Sequence, residues 1–148
     1  MPKVTEASRS TPSAAPGTVP RVYEWLLFLH VLAAFMVVTG VAAYGVLVFN
    51  DGAAVKAALR PAPVLWNAGA AGVLVFGVWL ALYVDGYGLL DGWIIAAFVL
   101  WLAAGAVGGR LERALREGDG GVDPRLLVGL MGLATTLLLI DMIFKPGA

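Results

Sequence analysis

The stretch from Val22 to Phe49, VYEWLLFLHVLAAFMVVTGVAAYGVLVF, runs for 28 residues with one carboxylate, Glu24, close to its start. In hydrocarbon such a backbone must satisfy its own N–H and C=O groups, which makes it a helix, and roughly 20 residues suffice to cross. Three more runs follow, at about 64–84, 92–109 and 125–144. The predicted fold class is therefore all-α: a four-helix transmembrane bundle, up-down-up-down, with both ends on one side. A water-soluble bundle would need a polar stripe on each helix, and the first, second and fourth runs have almost none. Composition agrees, since 60% of the 148 residues are hydrophobic and 14% charged, too few for the surface of a small soluble body.

The chain divides into an arm, residues 1–20, and a four-span domain, residues 21–148. The arm, rich in Pro, Ser, Thr and Ala without apolar periodicity, is expected to be disordered. Arg21 precedes an apolar run too long for a cleaved signal core, so the run reads as a retained first span. Glu24, Tyr23 and Trp25 form a charged and aromatic anchor at its edge. Asn50-Asp51-Gly52 ends the helix. The following AAVKAALR is expected to form a short interfacial helix, stopped by Pro61 and Pro63. Asp91 reads as an N-cap for span three, and the helix is expected to run past Gly109 with Glu112 and Arg116 paired one turn apart. Asp123-Pro124 is a start signal for span four.

Lys and Arg balance Asp and Glu at ten each, and there is no cysteine. This excludes disulfides, thiolate metal sites and cysteine nucleophiles, and gives no field for nucleic acid. Walker loops, HExxH and nucleophile elbows are absent, so nothing points to an enzyme. The loops after spans one and three carry Lys56, Arg60, Arg110, Arg113, Arg116 and Arg125, against Lys3, Arg9, Arg21 and Lys145 on the other side. Basic loops favour the cytoplasm, so both termini are expected outside.

Helices in lipid associate through close packing and satisfied polar groups. The small residues expected at helix contacts are Gly40, Gly72, Gly105, Gly109 and Gly129, with Ala33, Ala34, Ala68 and Gly132 beside them; Gly105 and Gly109 form a GxxxG. Trp66, Trp79, Trp93 and Trp101 read as interfacial belts and packing rather than a binding cage. Tyr44 and Tyr83 add hydrogen-bond donors.

The intramembrane polar candidates are His30, Asn67, Thr135, Thr136 and Asp141. His30 lies roughly 12 Å along its helix from Val22, a depth similar to that of Thr135 and Thr136 on span four. The first expectation is a neutral imidazole hydrogen-bonded to those threonines. The alternatives are a haem or metal ligand, with Met36 or Met131 as axial sulfur or a haem shared in a symmetric dimer, and a proton-handling group. Asp141 is expected to pair with Lys145 one turn on. Its alternative is a polar path shared with Asp85, Asp91 and His30. Asn67 reads as a helix-start residue or an interhelix partner.

WLLFLHVLAAFMVVTG, with Leu29-His30-Val31-Leu32 at its centre, and the ending DMIFKPG resemble small bacterial multi-span membrane proteins. More distantly they resemble the copper-resistance D-type membrane domain. The resemblance implies a bacterial inner-membrane location and, for His30, an association with copper or haem. The leading functional expectation is a structural or accessory membrane subunit that self-associates or docks on a larger complex. A b-type haem or electron-transfer protein using His30 is second, and a small proton-coupled or metal transporter third.

Overall fold

A computed structural model describes residues 21–83, 88, 90–118 and 121–145. The N-terminal arm, Asp85 and the chain end after Lys145 lie outside the described residues. Four long helices and one short helix account for the regular structure, with no strand among the described residues. Helix α1 spans Arg21–Phe49, α2 Ala53–Ala58, α3 Ala62–Tyr83, α4 Gly92–Glu117 and α5 Pro124–Phe144. Each long helix is long and apolar enough to cross a bilayer.

Local chemistry explains the ends. Asn50 Nδ2 donates to the Val46 carbonyl at 3.1 Å, taking up one of the carbonyls that α1 leaves open. The short helix expected at AAVKAALR forms as α2, and Lys56 meets Asp51 at 3.8 Å in an exposed pair. Span two starts earlier than expected, at Ala62, because proline tolerates a first helical turn whose N–H groups have no partner anyway. Helix α4 continues through LERALRE to Glu117 and stops at Gly118, whose φ of 70° suits glycine. Asp123 caps α5 by accepting from the Arg125 N–H at 2.9 Å. Asp91 holds the N-cap position of α4 without a side-chain cap; its Oδ2 accepts instead from the Gly88 N–H at 2.9 Å, tightening the preceding turn.

The bundle is built from two intimate pairs, α1 on α3 and α4 on α5, with α1 and α5 in lighter contact. Glycine makes the first pair possible. A Cβ at Gly69 would lie 2.7 Å from the Val37 backbone nitrogen, and one at Gly40 would lie 3.0 Å from the Trp66 Cα. Gly72 similarly abuts the Ala33 methyl. Gly105, Gly109 and Gly129, expected at helix contacts, face open space within this chain. The close approaches on span three instead fall at Gly108, where the Trp66 ring is seated.

Helices α3 and α4 keep their backbones apart, and long side chains bridge the gap. The Trp101 indole donates to the Ala70 carbonyl at 3.0 Å, and Trp66 spans from Gly40 to Gly108. Phe35 (67% exposed), Val64 (67%) and Ile143 (73%) are typical of an outer surface that water would penalise and acyl chains accept. An even number of crossings returns the chain to its starting side. Reporters fused to the two termini are expected to give the same sidedness in a protease-protection assay, and opposite answers would remove one span.

Candidate functional site

Towards the C-terminal end of α1, that helix rests on α5: a Cβ at Gly45 would lie 3.8 Å from Val128, and one at Gly132 would lie 3.9 Å from Val41. Towards the other end a cavity of about 690 Å³ opens among the four long helices. Its wall is almost wholly apolar. The polar exceptions are His30 and Thr135 within the bundle and Tyr23 and Lys145 at the rim, with Trp66, Trp93 and Trp101 supplying aromatic surface.

His30 is half-buried, and its ring lies on the backbone of α3. A Cβ at Gly77 would come within 3.1 Å of His30 Cε1, so any larger residue there would press on the imidazole. The ring also lies beside the Val73 backbone, while Nδ1 is enclosed and makes no well-formed hydrogen bond. The expected bond to the threonines is not made. Thr135 Oγ1 donates to the Met131 carbonyl and Thr136 Oγ1 to the Gly132 carbonyl, each at 2.9 Å. A threonine in hydrocarbon reaches its own i−4 carbonyl at no cost in helix placement, and this local bond outcompetes the distant imidazole. Thr135 still borders the cavity, whereas Thr136 points outward.

Three chemically distinct groups stand at different depths. The contacts of Gly45 with Val128 and of Val41 with Gly132 set the antiparallel register of α1 on α5 and place Thr135 opposite Val38, about 12 Å along α1 from His30 rather than at the expected common depth. Trp101 also lies inward of His30, because it bonds Ala70, about one turn deeper on α3 than the Val73 backbone beside the imidazole. All three line the same cavity.

Asp141 does not join them. It is 8% exposed, on the α5 face of Leu127, Met131 and Ala134 that packs into the core, and its Oδ2 has no hydrogen-bond partner. The expected ion pair with Lys145 is replaced by another arrangement. Lys145 adopts left-handed backbone (φ 41°) as the cap of α5, its N–H donating to the Asp141 carbonyl at 2.9 Å. That turn takes its side chain off the helical i+4 direction, and Nζ lies 5.5 Å from the centroid of the Trp93 ring. The polar path through Asp141, Asp91 and His30 is therefore not assembled among the described residues; Asp85 lies outside them.

Of the sulfurs named as axial candidates, Met131 is fully buried in the core and Met36 sits against Gly69. Met142, one helical turn from Leu138, is the methionine on the cavity wall. Among the described residues no group of three or more His, Cys, Asp or Glu converges as a metal site would require.

A second polar cluster lies towards the opposite end of the bundle. Glu112 Oε1 accepts from Tyr44 OH at 2.6 Å and from Asn67 Nδ2 at 3.0 Å, joining α1, α3 and α4. Asn67 also donates to the Pro63 carbonyl at 2.8 Å. Glu112, expected to pair with Arg116 along its own helix, is drawn inward because Tyr44, 1% exposed, has no water to bond. Sequence reasoning missed the role of Glu112 and the shared cavity of Trp66, Trp93 and Trp101. A carboxylate spaced for a local pair hid the first, and nothing in the spacing of tryptophans distinguishes a belt from a wall. No protein-family model matches this chain, and neither a curated protein nor a solved structure matches it.

Proposed function

We propose that this membrane protein holds an apolar molecule within its bundle, in the cavity walled by His30. The observation that carries this reading is the cavity itself. Close-packed interiors leave few voids larger than a water molecule, and about 690 Å³ falls in the range of ligand sites, which are mostly apolar with a few placed polar groups. A purely structural or accessory subunit needs no such space. Purification in mild detergent, followed by solvent extraction and mass spectrometry, is expected to recover a stoichiometric apolar compound. Ala34→Phe, which fills the cavity wall, is expected to lose it while keeping its helical circular dichroism. Equal recovery from both proteins, or from neither, overturns the reading.

A b-type haem is the second reading, favoured by His30 and Met142 on one cavity wall with the Lys145 side chain at the rim. Imidazole and thioether are the axial ligand types of electron-transfer haems, and an ammonium at the rim suits a propionate; the haem would supply one-electron chemistry. Supplementation with haem and an absorbance scan is the test: a Soret band lost in His30→Ala supports it, and no band ends it.

The basic loops favour both termini outside, and the resemblance noted above implies a bacterial inner membrane. Alkaline phosphatase fused to either end is then expected to be active in bacteria; two inactive fusions reverse the orientation.

A further inference from the structure

We propose that the ligand is a membrane-soluble compound of the quinone class: a planar, uncharged, carbonyl-bearing ring held between His30 and Thr135, with a long apolar tail leaving between α1 and α5 into the bilayer. This rests on the cavity being a binding site and adds what fits it.

Charge decides the head. From His30 inward the cavity is lined by imidazole, indole and hydroxyl, and the cationic group on its wall, Lys145, is at the rim. An ionised headgroup drawn to that depth would be stripped of water without a counter-charge, which hydrocarbon penalises heavily. A neutral ring loses little. Shape decides the rest of the head, because Trp101 and Trp66 contribute aromatic surface to the cavity wall, and a planar ring packs favourably against such surface. The Trp101 N–H is committed to the Ala70 carbonyl, and the Thr135 hydroxyl proton to Met131. The polar capacity left along this stretch of the cavity is the imidazole at one end and the lone pairs of the Thr135 oxygen at the other. A carbonyl accepts from an imidazole N–H, and the hydroxyl of the reduced ring donates to Thr135.

The tail has a way out. Helices α1 and α5 touch near Gly45–Val128 and Val41–Gly132, and part towards the other end. There Val31 and Phe35 on one side and Leu139 and Ile143 on the other are both cavity wall and outer surface. A fissure with apolar lips facing lipid admits a flexible chain laterally, without passage through water.

The test uses the full chain in nanodiscs of uncharged phosphatidylcholine, titrated with decylubiquinone and read by quenching of tryptophan fluorescence. Decanoic acid, with the same tail length and no ring, is the competitor. Saturable quenching is expected, with decanoic acid displacing it weakly. Loss of one hydrogen bond in His30→Ala is expected to raise Kd about tenfold, with a smaller rise in the shape-conserving Thr135→Val and partial recovery in His30→Gln. Linear, unsaturable quenching that His30→Ala leaves unchanged overturns the proposal. If decanoic acid or a phospholipid saturates the site, is lost in Ala34→Phe and is unaffected by decylubiquinone, the cavity reading stands and the quinone class falls. If Ala34→Phe alters nothing for any of these compounds, both fall.

Discussion

Substitution of Gly69 by leucine is expected to drive α1 and α3 apart and to remove about 3 kcal/mol or more of bundle stability. The Cβ would meet the Val37 backbone nitrogen at 2.7 Å and the Ala33 carbonyl oxygen at 3.0 Å. Backbone atoms inside a helix cannot swing aside as a side-chain tip can, so the whole helix must move. In lipid that movement is costly, because association depends on close van der Waals contact rather than on water exclusion. Gly69→Ala carries the same Cβ and should show most of the effect. Gly105→Ala, which meets open space, should stay within about 0.5 kcal/mol of the parent. Steric-trapping or SDS-titration unfolding in bicelles measures all three. A Gly69→Leu protein as stable as Gly105→Ala would mean that α1 and α3 are not in contact.

That contrast also marks the limit of reading this chain from its residues. The spans were legible because hydrocarbon enforces one solution, a run of self-satisfied helix, on any stretch like Val22–Phe49. The capped start at Asp123-Pro124, the short α2 and the continuation of α4 to Glu117 were legible for similar local reasons. Glycine partners were legible only in part. Gly40 and Gly72 abut their neighbours as expected, but Gly105 and Gly109 match a packing motif yet face outward, while Gly69 and Gly108 carry close contacts that were not foreseen. Which face of a helix turns inward is decided by the neighbours, and in a chain apolar on nearly every face the sequence holds no stripe to show it. The cavity was hidden for the same reason. His30 stood out as an isolated imidazole, but its sharing one cavity with Trp101 and Thr135 depends on how three separate helices pack. Asp141 and Lys145 show the opposite failure: correct spacing, overridden because the helix stops at Phe144.

Glu112 is the polar counterpart of Gly69, and its replacement by leucine is expected to cost about 2 kcal/mol. The loss comes from what stays behind. Tyr44, 1% exposed, would keep a hydroxyl with no acceptor, and Asn67 would keep its bond to Pro63 within its own helix but lose its link to α4. Tyr44→Phe removes the donor together with its demand and should cost less, about 1 kcal/mol. In the Tyr44→Phe, Glu112→Leu double variant the cost should fall short of the sum by about 1 kcal/mol, because the second change relieves the group orphaned by the first. Glu112→Gln, which retains a carbonyl acceptor but not the charge, should lie between parent and Glu112→Leu. The cycle is read by the same unfolding measurement. Strict additivity would mean that the 2.6 Å contact between Tyr44 and Glu112 contributes nothing to holding α4 against α1, leaving α4 to its links through α3: Trp66 between two glycines, Asn67 on Glu112, and Trp101 on Ala70.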